Sequence, residues 1–300
     1  MSTSIKLKEA VIKKLGRDTF KDLMSFISQH NPRLWGEQKP KNFLQTNVIL
    51  ALYKDLFKIG YTRMMKEVKL SFRLHHKSLA HNTKILRALF GLWGRGKIQK
   101  GTLTDWKKIG AGVGLTGKLK NVNLWIDSTD VALTGRRTTK KKSPDWSYKC
   151  NGPGRHYMCI QDARHRIRKI WGGYSPKIYD SHFIEAYKED FESTFKGATF
   201  LADSHFQLAN KFFSNIRFIT KWKDSEEERK DPEGRNATKL TKDQKELNQE
   251  IKAARARVES PFGFLKNTWV SLSQPWPESK EELDSLVLFG VGVHNFNLKD

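Results

Sequence analysis

Three carboxylates stand apart from the charged runs that hold most of the acidic residues. Asp127 follows Leu124-Trp125-Ile126, Asp203 follows Thr199-Phe200-Leu201-Ala202, and Glu259 lies between Arg255-Ala256-Arg257-Val258 and Pro261-Phe262-Gly263-Phe264-Leu265-Lys266. Carboxylates that end strands fall where open α/β sheets place their ligands, and a third on a helix crossing that edge closes a cluster. Three converging acidic groups repel one another unless divalent cations neutralise them, and hard oxygen donors with open positions suit Mg2+ or Mn2+. Two such ions activate a water or a 3′-hydroxyl and stabilise the leaving oxygen of an in-line phosphodiester displacement. Taken singly, an Asp after a strand is explained equally well as a turn residue or a helix cap.

The elements that must position these groups are legible in outline. Val122–Ile126, Tyr157–Gln161, Ile167–Tyr174 and Ala198–Ala202 read as strands, with a turn at Asp162-Ala163-Arg164 and a helix over Ser181–Phe191. This predicts an α/β domain over 102–300 with a charged insertion at about 221–257, its later part helical from about Lys242 and outside the core. Upstream, apolar spacing predicts two short helices between Ile5 and His30, broken near Gly16. Further helices follow over Phe43–Ile59, Tyr61–Val68 and Ser78–Trp93. Residues 1–101 thus read as an all-α, helix-turn-helix-like region whose recognition helix starts near Ser78, although an ordinary bundle with a basic exterior fits the same pattern. Gly91, Gly94, Gly96 and Gly101 mark a flexible boundary between the two parts.

Charge narrows the class of partner. The chain of 300 residues carries 55 Lys and Arg against 32 Asp and Glu, a net +23. The excess is local: 21 basic against 6 acidic residues over 1–100, and 12 against 2 over 134–177. A solvated face normally mixes signs, so these blocks point to nucleic acid. No apolar run reaches the roughly 18 residues of a membrane span, and neither end carries a lipidation motif, so no membrane partner is expected. Two cysteines, Cys150 and Cys159, and no apparent secretory leader exclude a disulfide-stapled scaffold. The histidines show no zinc spacing. Expected DNA contacts are Lys77, His81, Asn82, Lys84 and Arg87 on the recognition helix, and Arg136, Arg137, Lys140, Lys141, Lys142 and Lys149 beside the first aspartate. The basic run also fits a nuclear import signal, placing the protein in a nucleus if the source is eukaryotic and in the cytoplasm otherwise. Trp146 and Tyr148 interleave with that run as candidates to stack on an unpaired base.

The residues together resemble a family. Trp125-Ile126-Asp127-Ser128-Thr129-Asp130 resembles the first-aspartate motif of the DDE superfamily endonuclease domain of PIF/Harbinger-type transposases. Leu201–Phe206 resembles the second motif, Arg257–Lys266 the glutamate helix, and His294-Asn295-Phe296 the closing motif. Tyr148-Lys149, the glycines before Tyr174 and Asp180 fall in the family's order as well. The resemblance covers about 102–300. It implies a ribonuclease H-like mixed sheet with flanking helices and a metal-bound triad of Asp127, Asp203 and Glu259 holding two Mg2+ or Mn2+ ions. It also implies cutting and joining of double-stranded DNA by a homo-oligomer, with or without a separate DNA-binding protein. The departures are Ser128 for the usual glycine, Ser204-His205 in the second motif, and Pro261 after Glu259, where a helix must either start or kink. Glu259, Gly263 and Lys266 share one helical face, which places Lys266 at a DNA phosphate. Two alternatives remain at this stage: a transposase-derived DNA-binding protein that no longer cuts, and a structure-specific repair nuclease on the same fold.

Overall fold

The computed structural model of the chain describes residues 3–30, 43–67, 76–134, 141, 143–222, 240–257 and 261–298. Five helices open it: α1 (Thr3–Leu15), α2 (Arg17–His30), α3 (Phe43–Phe57), α4 (Tyr61–Glu67) and α5 (His76–Gly96). The break between α1 and α2 falls on Gly16, whose φ of +91° suits glycine. Asn297, from the far end of the chain, donates to the Leu15 carbonyl there at 2.9 Å. Helix α6 (Leu103–Ala111), which apolar spacing did not announce, begins at a capping box between Thr102 and Asp105.

The sheet is built from β1 (Leu124–Ala132), β2 (Trp146–Ser147), β3 (Gly152–Asp162), β4 (Ile167–Tyr174), β5 (Thr199–Leu201) and β6 (Arg217–Ile219). β1 lies between β3, antiparallel over nine residue pairs, and β5, parallel over two; β6 adds parallel to β5, and β4 and the short β2 add antiparallel to β3. The result is a mixed sheet in which only the β5 side is parallel. Helices α7 (Asp180–Ala186), α8 (Lys188–Phe195), α9 (Lys242–Arg257), α10 (Pro261–Thr268) and α11 (Lys280–Asn297) cover it. Pro261 opens α10, where its missing N–H costs nothing.

Side chains alternate across β1, so its two faces bury different partners. Leu124 and Ile126 pack with Met158, Ile160, Phe183, Phe191 and Phe195 beneath α7 and α8. On the other face Trp125 joins Leu201, Ile219, Ile251 and Ala254 of α9, while Val131, Tyr157 and Cys159 join the α10–α11 core. That second core is continuous with the N-terminal helices, from Val11 and Leu23 to Phe90 and Trp93.

Three expectations are corrected. Asp127 does not end a strand; β1 runs five residues beyond it, because β3 supplies a partner at every position. Helix α9 starts at Lys242 as expected but is not outside the core, since Ile251 and Ala254 are 0% and 2% exposed against the sheet. Gly91 and Gly94 lie inside α5 and form no flexible boundary. A Cβ on Gly91 would meet Ser285 at 3.0 Å, and one on Gly94 would collide with the Leu288 carbonyl, so these glycines let α5 and α11 approach backbone to backbone.

Candidate active site

The parallel register brings together the two strand segments that the first two carboxylates follow. Trp125 pairs with Leu201; Asp127 lies two residues further along β1, and Asp203 lies two residues beyond Leu201, after β5 has ended. The β1–β5 pairing stops at Trp125 while β1 continues, which opens the carboxyl edge of β5 at this point. Asp127 also sits between two packing units, next to Trp125 under α9 and opposite Cys159 under α10 and α11. Asp127 therefore lies along a seam in the helical cover.

Asp203 divides its oxygens. Oδ1 accepts from the Ser204 backbone N–H at 2.5 Å and caps the 3-10 helix Ser204–Lys211, while Oδ2 faces Arg255 Nη1 at 3.3 Å. Burial raises the Asp203 pKa, but Arg255 and the Ser204 donors outweigh it and hold the carboxyl below its usual value. Beside it lies a cavity of about 290 Å³ lined by Trp125, Asp127, Lys221, Lys252 and Arg255. Glu259 lies outside the described residues. Its described neighbours both reach this region: Arg255 touches Asp203, and Lys266 Nζ donates to Thr129 Oγ1 at 2.8 Å and to the Asp130 carbonyl at 3.1 Å. Burial beside Lys149 lowers the Lys266 pKa.

The opposite face of β1 carries a second acidic group of different character. His156 stands across from Asp130; its Nδ1 is 2.6 Å from Asp130 Oδ1 and its Nε2 is 3.0 Å from Asp180 Oδ1. Ser147 donates to Asp130 at 2.5 Å, Ser128 donates to Asp180 at 2.9 Å, and Lys149 reaches the Ser128 hydroxyl at 3.3 Å. Burial alone would lower the His156 pKa, but the two carboxylates raise it to about 9, so the ring is a cation at neutral pH. Asp130 is thus committed to an internal ion cluster, turned away from Asp127.

The expected DNA contacts divide in the same way. On α5, His81 and Lys84 are exposed. Asn82 donates to Asn47 at 2.9 Å, and Arg87 is fully buried against Asp55, Glu278 and Glu282 over the Trp276 ring. These two serve the interior and join α3 and α5 to the start of α11. Lys149 and Lys141 are exposed, and Tyr148 is 75% exposed. Trp146 is half-buried, with its Nε1 lacking a partner among the described residues. Arg136, Arg137, Lys140 and Lys142, and the side chain of Lys77, lie outside the described residues.

Sequence reasoning passed over Lys221, Lys252 and Arg255, because the near balance of charge over 221–257 reads as a solvated surface. The usable signal was the spacing on α9: Ile251 and Ala254 face the core, so Lys252 and Arg255 ride beside them at its rim. Among the described residues, no group of three or more His, Cys, Asp or Glu is disposed to hold a metal ion. Asp127 and Asp203 nevertheless supply hard oxygen donors, and Asp203 already attracts a cation in the form of Arg255. The donor set fits a hard divalent ion completed by a further carboxylate.

No curated protein and no solved structure matches the chain. Residues 126–295, more than half of the chain, match the DDE superfamily endonuclease family, and the match begins one residue before Asp127 and spans Asp203 and Glu259. The chain belongs to the DDE superfamily endonuclease family.

Proposed function

We propose that this endonuclease is a DNA transposase of PIF/Harbinger type that cuts DNA strands and joins the resulting 3′-hydroxyl to a target. The observation that carries the reading is the register of β1 and β5 within the family segment, where Trp125 pairs with Leu201 and each aspartate follows two residues later in the chain. The strand order, with β1 between an antiparallel and a parallel neighbour, supports a ribonuclease H-like core. Glu259 is the third member of the triad by its place in the family motif, between Arg255, which faces Asp203, and Lys266, which bonds Thr129.

Asp127, Asp203 and Glu259 hold two Mg2+ or Mn2+ ions, which when bound supply charge stabilisation and activate the attacking oxygen. The chain's own residues do the rest. Ser204 fixes the Asp203 carboxylate through its N–H, and the cations around the cavity draw the strand to the carboxylates. Lys266 ties α10 to β1, with a phosphate as its further partner. His81, Lys84, Arg136, Arg137, Lys140, Lys141, Lys142 and Lys149 bind the DNA backbone, and the protein works as an oligomer on paired ends, in the nucleus if its source is eukaryotic and in the cytoplasm otherwise.

Purified protein incubated with labelled terminal-repeat DNA tests this. Cleavage is expected with Mg2+, not with EDTA, and not with Asp203→Ala; cleavage that persists in the mutant contradicts the assignment.

A further inference from the structure

Arg255 touches both parts of the site. Its guanidinium pairs with Asp203 Oδ2, yet the 3.3 Å separation is long for a charge-assisted bond, and the two side chains are 29% and 43% exposed. A single loose contact of this kind is cheap to exchange. The same residue lines the 290 Å³ cavity with Lys221, Lys252 and Trp125. The Trp125 indole is 4% exposed, and its Nε1–H has no hydrogen-bond partner among the described residues. Three cations and an unpartnered donor share this cavity with a single carboxylate, Asp127, and the neutral carboxamide of Gln161. An anion is what this donor set lacks, and the volume lies at the small end for ligand pockets, suiting a phosphate group better than a whole nucleotide.

We propose that Arg255 is a two-position cation: it pairs with Asp203 while the carboxylates hold no divalent ion, and turns into the neighbouring cavity to bind a DNA phosphate with Lys221 and Lys252 once they do. The inference rests on the reading of Asp203 as a metal ligand. A divalent ion takes carboxylate oxygens at close range and repels a guanidinium from the same oxygen. The released fork matches a phosphate with two parallel N–H donors. Metal and phosphate then favour each other, and linkage makes that coupling reciprocal.

The test uses the full chain, with folding checked by circular dichroism. Mn2+ binding is measured by calorimetry without DNA, in wild type, Arg255→Gln, Lys252→Gln and Asp203→Asn. Arg255→Gln should bind Mn2+ about two- to five-fold more tightly. Lys252→Gln removes the same charge from the cavity without releasing Asp203, so its effect should be smaller. Short duplex DNA is then titrated with and without Ca2+. Wild type should bind DNA more tightly with Ca2+, and Arg255→Gln should lose a large share of that gain. Equal tightening in Arg255→Gln and Lys252→Gln, or none in Arg255→Gln, overturns the two-position role while leaving the triad standing. Unchanged Mn2+ binding in Asp203→Asn removes both.

Discussion

β1 presents an aspartate on each face three residues apart, and the two have opposite surroundings. Asp130 is 6% exposed, with Ser147 and His156 on its oxygens and Asp180 completing the cluster. Asp127 is half-buried at the rim of a cavity whose other charged groups are cations, one of which, Arg255, also faces the second oxygen of Asp203 at 3.3 Å. Sequence proximity therefore says little about role. A carboxylate closed into an internal ion cluster holds strands together, whereas one facing a cationic cavity keeps the exposure that the proposed metal site requires.

The comparison breaks most visibly at Asp203. Asp203→Ala should lower DNA cleavage by at least about 10³-fold with DNA affinity largely retained, as seen in cleavage and gel-shift assays on the same preparation. On the closed face, His156→Ala should leave two carboxylates buried together without their cation and cost about 3–5 kcal/mol of stability in a urea titration. The same face predicts a pH dependence. The folded His156 pKa of about 9 lies above its unfolded value of about 6.5, so its stabilisation is complete below pH 6.5 and is lost as pH rises through 9. The loss should be on the order of 3 kcal/mol and absent in His156→Gln. A smaller effect tests the same division on α5. Lys84→Ala should leave stability unchanged and reduce the salt dependence of DNA binding by about one charge. Arg87→Ala, by contrast, strands Asp55, Glu278 and Glu282 and should act chiefly on folding.

Much of this site was legible before the fold. Asp127 and Asp203 were singled out because each follows an apolar strand, and the register brings those strands together. Ile167–Tyr174 was read to its ends, since β-branched and aromatic Ile167, Ile170, Trp171 and Tyr174 directly after a turn specify a strand with little help from the rest of the chain. Less local features escaped. The length of β1 depends on β3, which pairs with polar Ser128, Thr129 and Asp130 as readily as with Ile126. β6 has three residues, too few for periodicity. Asp130 and Arg87 carry the same charge inside as outside, so their types did not reveal that each has its charged partners more than 20 residues away. The glycines of α5 read as a hinge because their reason, the backbone of α11, lies nearly 200 residues further on.

The most direct measurement compares Asp127→Asn with Asp130→Asn in parallel, recording Mg2+-dependent cleavage and the thermal midpoint of each. Asp127→Asn should keep the wild-type midpoint and lose cleavage; Asp130→Asn should lower the midpoint and, at temperatures where it remains folded, still cut. An Asp127→Asn protein that cuts like wild type, beside a fully stable Asp130→Asn protein that does not, would contradict the account.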